Sequence, residues 1–270
     1  MKTTVLLICL APLLWVMTGC EDPQPISDLQ QDAPFDNLKL SDLSDTTQGD
    51  VNEEFLMSFR VLTYTIIPGA VDELDKVQQL LSQQDVRLID LDAFRVNGLA
   101  VGAGAFEQGR AVVKKLNQAG AVRVAQTRMI VQLNEPQILS QTFLQENETL
   151  AFATSLASAT EVSPGPGFIG WVFTAKPDPR FRGMVQVRLY PAFWQQGIEN
   201  IRRMMGKPPI QFHPIKEGGI LTRMGEQGFI LLTPGRDVPE QLTLDKLLFF
   251  LPGRRPKVQF FVIIFDSMGI

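Results

Sequence analysis

Phe59-Arg60-Val61-Leu62-Thr63-Tyr64-Thr65-Ile66 alternates along its length and is rich in β-branched and aromatic residues, the pattern of a strand. Pro68-Gly69 breaks it. Val71, Leu74, Val77 and Leu81 then recur at helical spacing, with Asp72, Glu73 and Asp75 placed early, where the helix dipole favours negative charge. The hydrophobic period switches within a few residues, so a strand is predicted to run straight into a helix.

Farther along the chain, Arg87-Leu88-Ile89 and Ala93-Phe94-Arg95-Val96 return to extended character. Asn97-Gly98 follows, a strong hairpin signal, because both central residues of a type I′ turn need positive φ. Residues 99–101 would be the returning strand. A second helix is predicted over 106–119 on Val112, Val113 and Leu116, with Gly120 as its stop. Residues 122–133 read as another long strand. The order is β-α-β-β-α-β, a split βαβ arrangement with both helices on one face of a small sheet.

Past Arg128 the pattern is almost all β. Met184-Val185-Gln186-Val187-Arg188-Leu189-Tyr190 alternates, with Val185, Val187 and Leu189 on one face. Residues 168–175 and 228–233 read as further strands. The stretch 258–265 is apolar on both faces, so it is a central buried strand or one that faces lipid or a partner. One helix is predicted over 195–205, ended by Gly206 and Pro208. The expected class is therefore α+β, with an α/β module over 55–125 and a mainly antiparallel β-domain over 126–270. No internal repeat is visible.

Residues before the body are of another kind. Met1-Lys2, an apolar run from Val5 to Met17 and the small pair Thr18-Gly19 have the layout of a secretory signal peptide. Met17-Thr18-Gly19-Cys20 resembles the bacterial lipobox. That resemblance implies cleavage between Gly19 and Cys20, acyl chains such as palmitate carried by Cys20, and a membrane tether at the new N-terminus. A transmembrane anchor would need about 20 apolar residues, and this run carries Pro12 and breaks at Thr18. Segment 1–19 is thus read as a lipoprotein signal and 20–54 as a linker. Glu21 stands where enteric bacteria place an inner-membrane retention aspartate, so the expected location is the outer membrane, facing the periplasm.

Charge divides along the same line. The net charge of −4 hides ten acidic residues against Lys39 alone between Glu21 and Glu54. From Phe55 onward nineteen acidic residues face twenty-three basic ones. The acidic segment has too little apolar surface to order itself and reads as a spacer. The body's positive excess is too diffuse for a nucleic-acid footprint. Cys9 lies in the signal, which leaves Cys20 and no disulfide framework.

Sites for chemistry are few. Gly165-Pro166-Gly167-Phe168-Ile169-Gly170 matches the dinucleotide fingerprint in letters, but Trp171-Val172-Phe173 continues as a strand where a helix is needed to meet pyrophosphate. Gly102-Ala103-Gly104 lacks the third glycine. His213 is the one histidine, so neither the usual His/Cys metal sites nor a serine triad with a G-x-S-x-G elbow can be built. Asp90 and Asp92 would share a face of a strand, as a solvated end or a carboxylate pair. Arg254-Arg255 reads as an exposed basic turn. These residues point away from an enzyme, with no metal and no cofactor. The alternative is a binder of a small molecule or envelope polymer on a platform of Trp171, Phe193 and Trp194 beside Arg188, residue types that equally serve a core.

Several stretches carry a family resemblance. Phe168-Ile169-Gly170-Trp171-Val172-Phe173, followed by Gly183-Met184-Val185-Gln186-Val187-Arg188-Leu189-Tyr190-Pro191, is similar to the paired strands of the C-terminal β-domain of bacterial secretins. Gly225-Glu226-Gln227-Gly228-Phe229-Ile230-Leu231-Leu232 and the close at Leu247-Leu248-Phe249 and 258–265 resemble later segments of that domain. Secretins also place small α/β modules before it. This chain has one module and lacks the double-glycine-leucine hallmark, so the resemblance implies a non-channel structural or assembly component. Its expected partners are the membrane, through lipid on Cys20, other envelope proteins and further copies of itself, with contacts made by the apolar final strand.

Overall fold

The alternating stretch forms β1 (Leu56–Ile66) in the computed structural model, which describes residues 56–82, 85–195, 211–236 and 238–269. After it come α1 (Asp72–Gln78), β2 (Val86–Leu88), α2 (Leu91–Val96), β3 (Leu99–Gly104), α3 (Phe106–Gln118) and β4 (Val122–Gln132). The rest comprises β5 (Gln137–Leu144), β6 (Leu150–Ser155), β7 (Ser158–Val162), β8 (Gly167–Pro177), β9 (Val185–Gln195), β10 (His213–Pro214), β11 (Ile220–Met224) and β12 (Phe229–Pro234). Helix α4 (Leu244–Phe249), β13 (Phe250–Leu251) and β14 (Lys257–Gly269) complete it. The class is α+β, mostly antiparallel strands in two sheets with a few short helices. The helix expected over 195–205 lies outside the described residues, save Gln195, which ends β9.

One sheet runs β3-β12-β14-β1-β4, with β13 beside β14. The other runs β2-β11-β9-β8-β5, with β10 beside β9, and β6 and β7 form a separate hairpin. The division read at residue 125 falls inside β4. Strands β12 and β14 sit between β3 and β1, and β2 belongs to the second sheet, so both sheets draw on both halves of the sequence.

Residues 93–96 are helical, against the strand expected there. Asp90 caps α2 by accepting from the Ala93 amide at 2.9 Å, and Ala93 and Phe94 are buried beneath it. Asn97 keeps a negative φ of −73°, and Gly98 alone takes the left-handed conformation, at 69°. The pair is therefore the end of a helix and not a type I′ hairpin. Asp90 and Asp92 accordingly do not share a strand face: one is the cap and the other stands in the first turn.

β14 is an interior strand, paired with β1 on one side and β12 on the other. Its apolar faces are explained by burial, and Phe261–Ile264 have strand partners on both sides. On one face of the first sheet Phe59 meets Phe173 of the second edge-on, with ring centroids 4.8 Å apart, and Phe265 at 5.2 Å. Trp171 and Phe249 of α4 close the same core. Each such buried aromatic stabilises the fold by about 1.5–3 kcal/mol. On the opposite face α1 and α3 pack toward β3. Val112 and Leu116 seat α3, and Gln108 ties its start by accepting from the Ala105 amide at 2.8 Å while donating to the Leu80 carbonyl at 3.0 Å.

Candidate functional site

Alternation along β9 sorts the residues picked out in the sequence. Val185, Val187 and Leu189 point into the core, and Phe193 packs against its margin. Gln186, Arg188, Tyr190, Ala192 and Trp194 take the other face of the sheet. The fully buried Trp171 belongs inside, against Phe249. The four residues therefore do not make one platform: Arg188 and Trp194 share the outer face, while Trp171 and Phe193 lie across the sheet from them. The cause is register, which pairs Trp171 with Pro191 and Trp194 with Phe168.

That outer face has two ends. At one, Trp194 stacks on Phe168 at 6.0 Å and meets Phe212 edge-on at 5.4 Å, and Phe168 meets the half-exposed Phe143 at 5.6 Å. At the other, register aligns Arg87, Leu221, Arg188 and Thr174 across four strands, and Arg223, Gln186 and Lys176 in the next row. Neighbouring strands lie about 4.8 Å apart, so Arg87 and Arg188 stand about 10 Å apart along the backbone. Between the two ends sits Tyr190, whose hydroxyl pKa is raised by burial and partly restored by Arg188.

One carboxylate organises the cationic end. The side chain of Asp178 is fully buried and accepts from the Arg180 amide at 2.8 Å, from Gln186 Nε2 at 3.1 Å and from Arg223 Nε at 2.7 Å. Burial alone would raise its pKa. The hydrogen bonds from Arg180 and Gln186, with the charge and hydrogen bond of Arg223, overcome that and hold it below the usual carboxylate range. Arg223 in turn lies over the Phe181 ring, 5.4 Å from its centre.

A second surface, missed in the sequence, lies on the first sheet. Strand β4 is an edge: among the described residues it pairs with β1 alone, and nearly every residue along it is exposed. One strand in from it, a trough of about 750 Å³ separates α3 from the face of β14 and β1. No local signal in β4 distinguishes an edge strand from an interior one, because edge status depends on which distant strands pair.

The other candidates have plain roles. His213 is exposed and stacks on Phe193 at 4.8 Å. Arg254-Arg255 lies in an exposed turn between β13 and β14. The glycine-rich stretch enters β8 directly: a Cβ at Gly170 would collide with the Ser140 carbonyl oxygen of β5, so the residue permits strand contact and no helix follows it. Among the described residues no three His, Cys, Asp or Glu side chains gather as a metal site. Gly19 and Cys20 lie outside the described residues.

No protein-family model matches the chain. No curated protein matches it either. Among solved structures it is weakly similar to the InvG secretin domain β-barrel from the Salmonella SPI-1 injectisome NC-base, at 9% identity and a TM-score of 0.22. The match covers 80% of this chain and 63% of that one, so this chain spans less than two thirds of that structure's length.

Proposed function

We propose that this chain is a non-catalytic, lipid-anchored component of the cell envelope that works by holding other proteins, and that the free edge of β4 is where it holds them. The observation that carries the reading is the length and exposure of that edge. β4 runs for 11 residues, presents Val122 and Val124 to solvent, and contains no proline and no acidic residue. Long exposed edges invite strand addition, and although Arg123 and Arg128 place charge on this one, Val122, Val124 and Ile130 leave apolar surface along it. Stretches resembling secretin strands fall in β8, β9, β12 and β14, inside the two sheets, where they build the body that displays β4. The acidic segment 20–54 serves as the spacer from an outer-membrane anchor at Cys20.

The test is light scattering after size-exclusion chromatography, together with capture of partners from envelope extracts, on the full chain and on Val122→Lys/Val124→Lys. Self-association or captured envelope proteins that disappear in the double variant support the reading. A chain that stays monomeric and captures none sinks it.

A second reading, an envelope polymer on the outer face of the second sheet, is favoured by Arg87, Arg188, Arg223 and Lys176 in adjacent rows beside the aromatic end. Arg87→Glu/Arg188→Glu would abolish retention on an acidic polysaccharide column if that face binds polymer, and would leave the β4 contacts intact.

A further inference from the structure

We infer that the trough between α3 and the open strip of β14, β1 and β4 is a docking site for an acidic amphipathic helix of a partner protein. Two stripes run along α3. Val112 and Leu116 seat it on the sheet. Phe106, Arg110, Val113 and Asn117, at helical spacing i, i+4, i+7 and i+11, form the other and line the trough. Phe106 is 61% exposed and Val113 41%, so this stripe presents apolar surface that nothing in the described residues covers.

The floor mixes apolar and polar side chains. Leu62 lies opposite Val262, both buried at its base, and the half-buried Arg60 lies opposite the half-buried Ile264. Register carries the strip onto β4, where Gln126 stands opposite Leu62, Arg128 opposite Arg60 and Ile130 opposite Ser58. Ile130 is 56% exposed. The space measures about 750 Å³. Its length follows α3, whose 13 residues span about 20 Å. Its open width is that of β1 and β4, about 10 Å, the usual distance between packed helices. One helix of three to four turns, laid beside α3, would complete the layer.

Charge decides which helix. Arg110 and Lys114 line the α3 side and Arg60 the sheet side, with Arg128 in the smaller hollow that adjoins the trough beyond Arg60. Against them stands Asp266, which is paired with Arg60 at 2.6 Å. Cations along both walls of an apolar trough match a helix with an apolar stripe flanked by acidic residues on each side. A single-headed amphiphile would instead call for a cationic group at one end of a closed pocket.

The experiment is fluorescence anisotropy of the full chain with a labelled synthetic helix of leucines on one stripe and glutamates flanking it. Two controls carry lysine in place of glutamate, or the same residues in scrambled order. The glutamate helix should bind saturably and both controls about tenfold or more weaker. Arg110→Glu and Val113→Glu, both at exposed positions, should each weaken it about tenfold. Val122→Lys/Val124→Lys, which blunts the β4 edge at positions outside the lining of the trough, should not weaken it, so the two surfaces fail or stand separately. Absent binding, equal binding of the scrambled helix, or no effect of either α3 variant with circular dichroism unchanged would overturn the inference. So would uptake of phosphatidylglycerol vesicles that Val113→Glu abolishes while the helix does not bind.

Discussion

Both ends of the Asn97 side-chain amide are spent on Ala153: Nδ2 donates to its carbonyl at 2.8 Å, and Oδ1 accepts from its amide at 2.7 Å. Thr243 treats Ala151 in a similar way, its Oγ1 accepting from the Ala151 amide at 2.9 Å and its own amide donating to the Ala151 carbonyl at 3.0 Å. β6 has β7 on one side, and on the other these two residues stand in for a strand. Asn97 is fully buried, so water cannot replace it. Asn97→Ala should therefore cost about 2–4 kcal/mol, the cost of stranding a buried donor and acceptor together. Urea unfolding would show it. Asn97→Asp should also destabilise, because it sets an oxygen against the Ala153 carbonyl.

Trp194→Ala separates packing from binding on the outer face of the second sheet. Trp194 is only 3% exposed and wedged between Phe168 and Phe212. Its removal should lower stability by about 3 kcal/mol through the cavity it leaves. Arg188→Ala, at an exposed position on the same face, should stay within about 0.5 kcal/mol of the wild type. Thermal unfolding of the two variants side by side would show the contrast, and equal effects would contradict it.

How far the sequence reveals this arrangement depends on how local each cause is. β8, β9, β12 and β14 are legible because they bury one or both faces, and burial writes a period into the residues themselves. The parity of 188 and 194 likewise puts those side chains on one face, and the parity of 193 puts Phe193 on the other. Trp171 needed the register with Pro191, which no local pattern encodes. Asn97-Gly98 misleads because a left-handed glycine serves a helix end as well as a hairpin, and Phe94-Arg95-Val96 has strand-like composition while the Asp90 cap holds it helical. The β4 edge and the rows joining Arg87 to Arg188 and Arg223 come from strand pairing across the whole chain, so the sequence alone did not disclose them.

Two buried carboxylates should respond to pH in opposite senses. Asp178 has its folded pKa lowered, as its hydrogen bonds and Arg223 outweigh burial, so its contribution is present above the unfolded value of about 4 and is lost as pH falls through the folded pKa. Asp245 has its pKa raised by burial, only partly countered by Lys246, and its Oδ1 finds no hydrogen-bond partner among the described residues. Its native form holds the proton more tightly, so stability falls as pH rises from about 4 through the folded pKa. Asp178→Asn should therefore lose more stability at pH 7 than at pH 3, whereas Asp245→Asn should compare better with the wild type at pH 7 than at pH 3. Denaturant unfolding at both pH values checks the signs, and parallel behaviour of the two variants would refute the assignment.

The anchor can be tested apart from the fold. If Cys20 carries the acyl chains, Cys20→Ser removes the sulfur that accepts them, and the precursor should keep its signal uncleaved at Gly19. Each buried CH₂ contributes about 0.8 kcal/mol, so several chains on one residue hold a protein firmly while a single chain does so only marginally. Metabolic labelling with a fatty-acid analogue should mark the wild type and leave Cys20→Ser unlabelled, and density-gradient fractionation should place the labelled form with the outer membrane. Equal label in both forms would put the anchor elsewhere. Label that sediments with the inner membrane would keep the lipid on Cys20 and overturn the sorting argument drawn from Glu21.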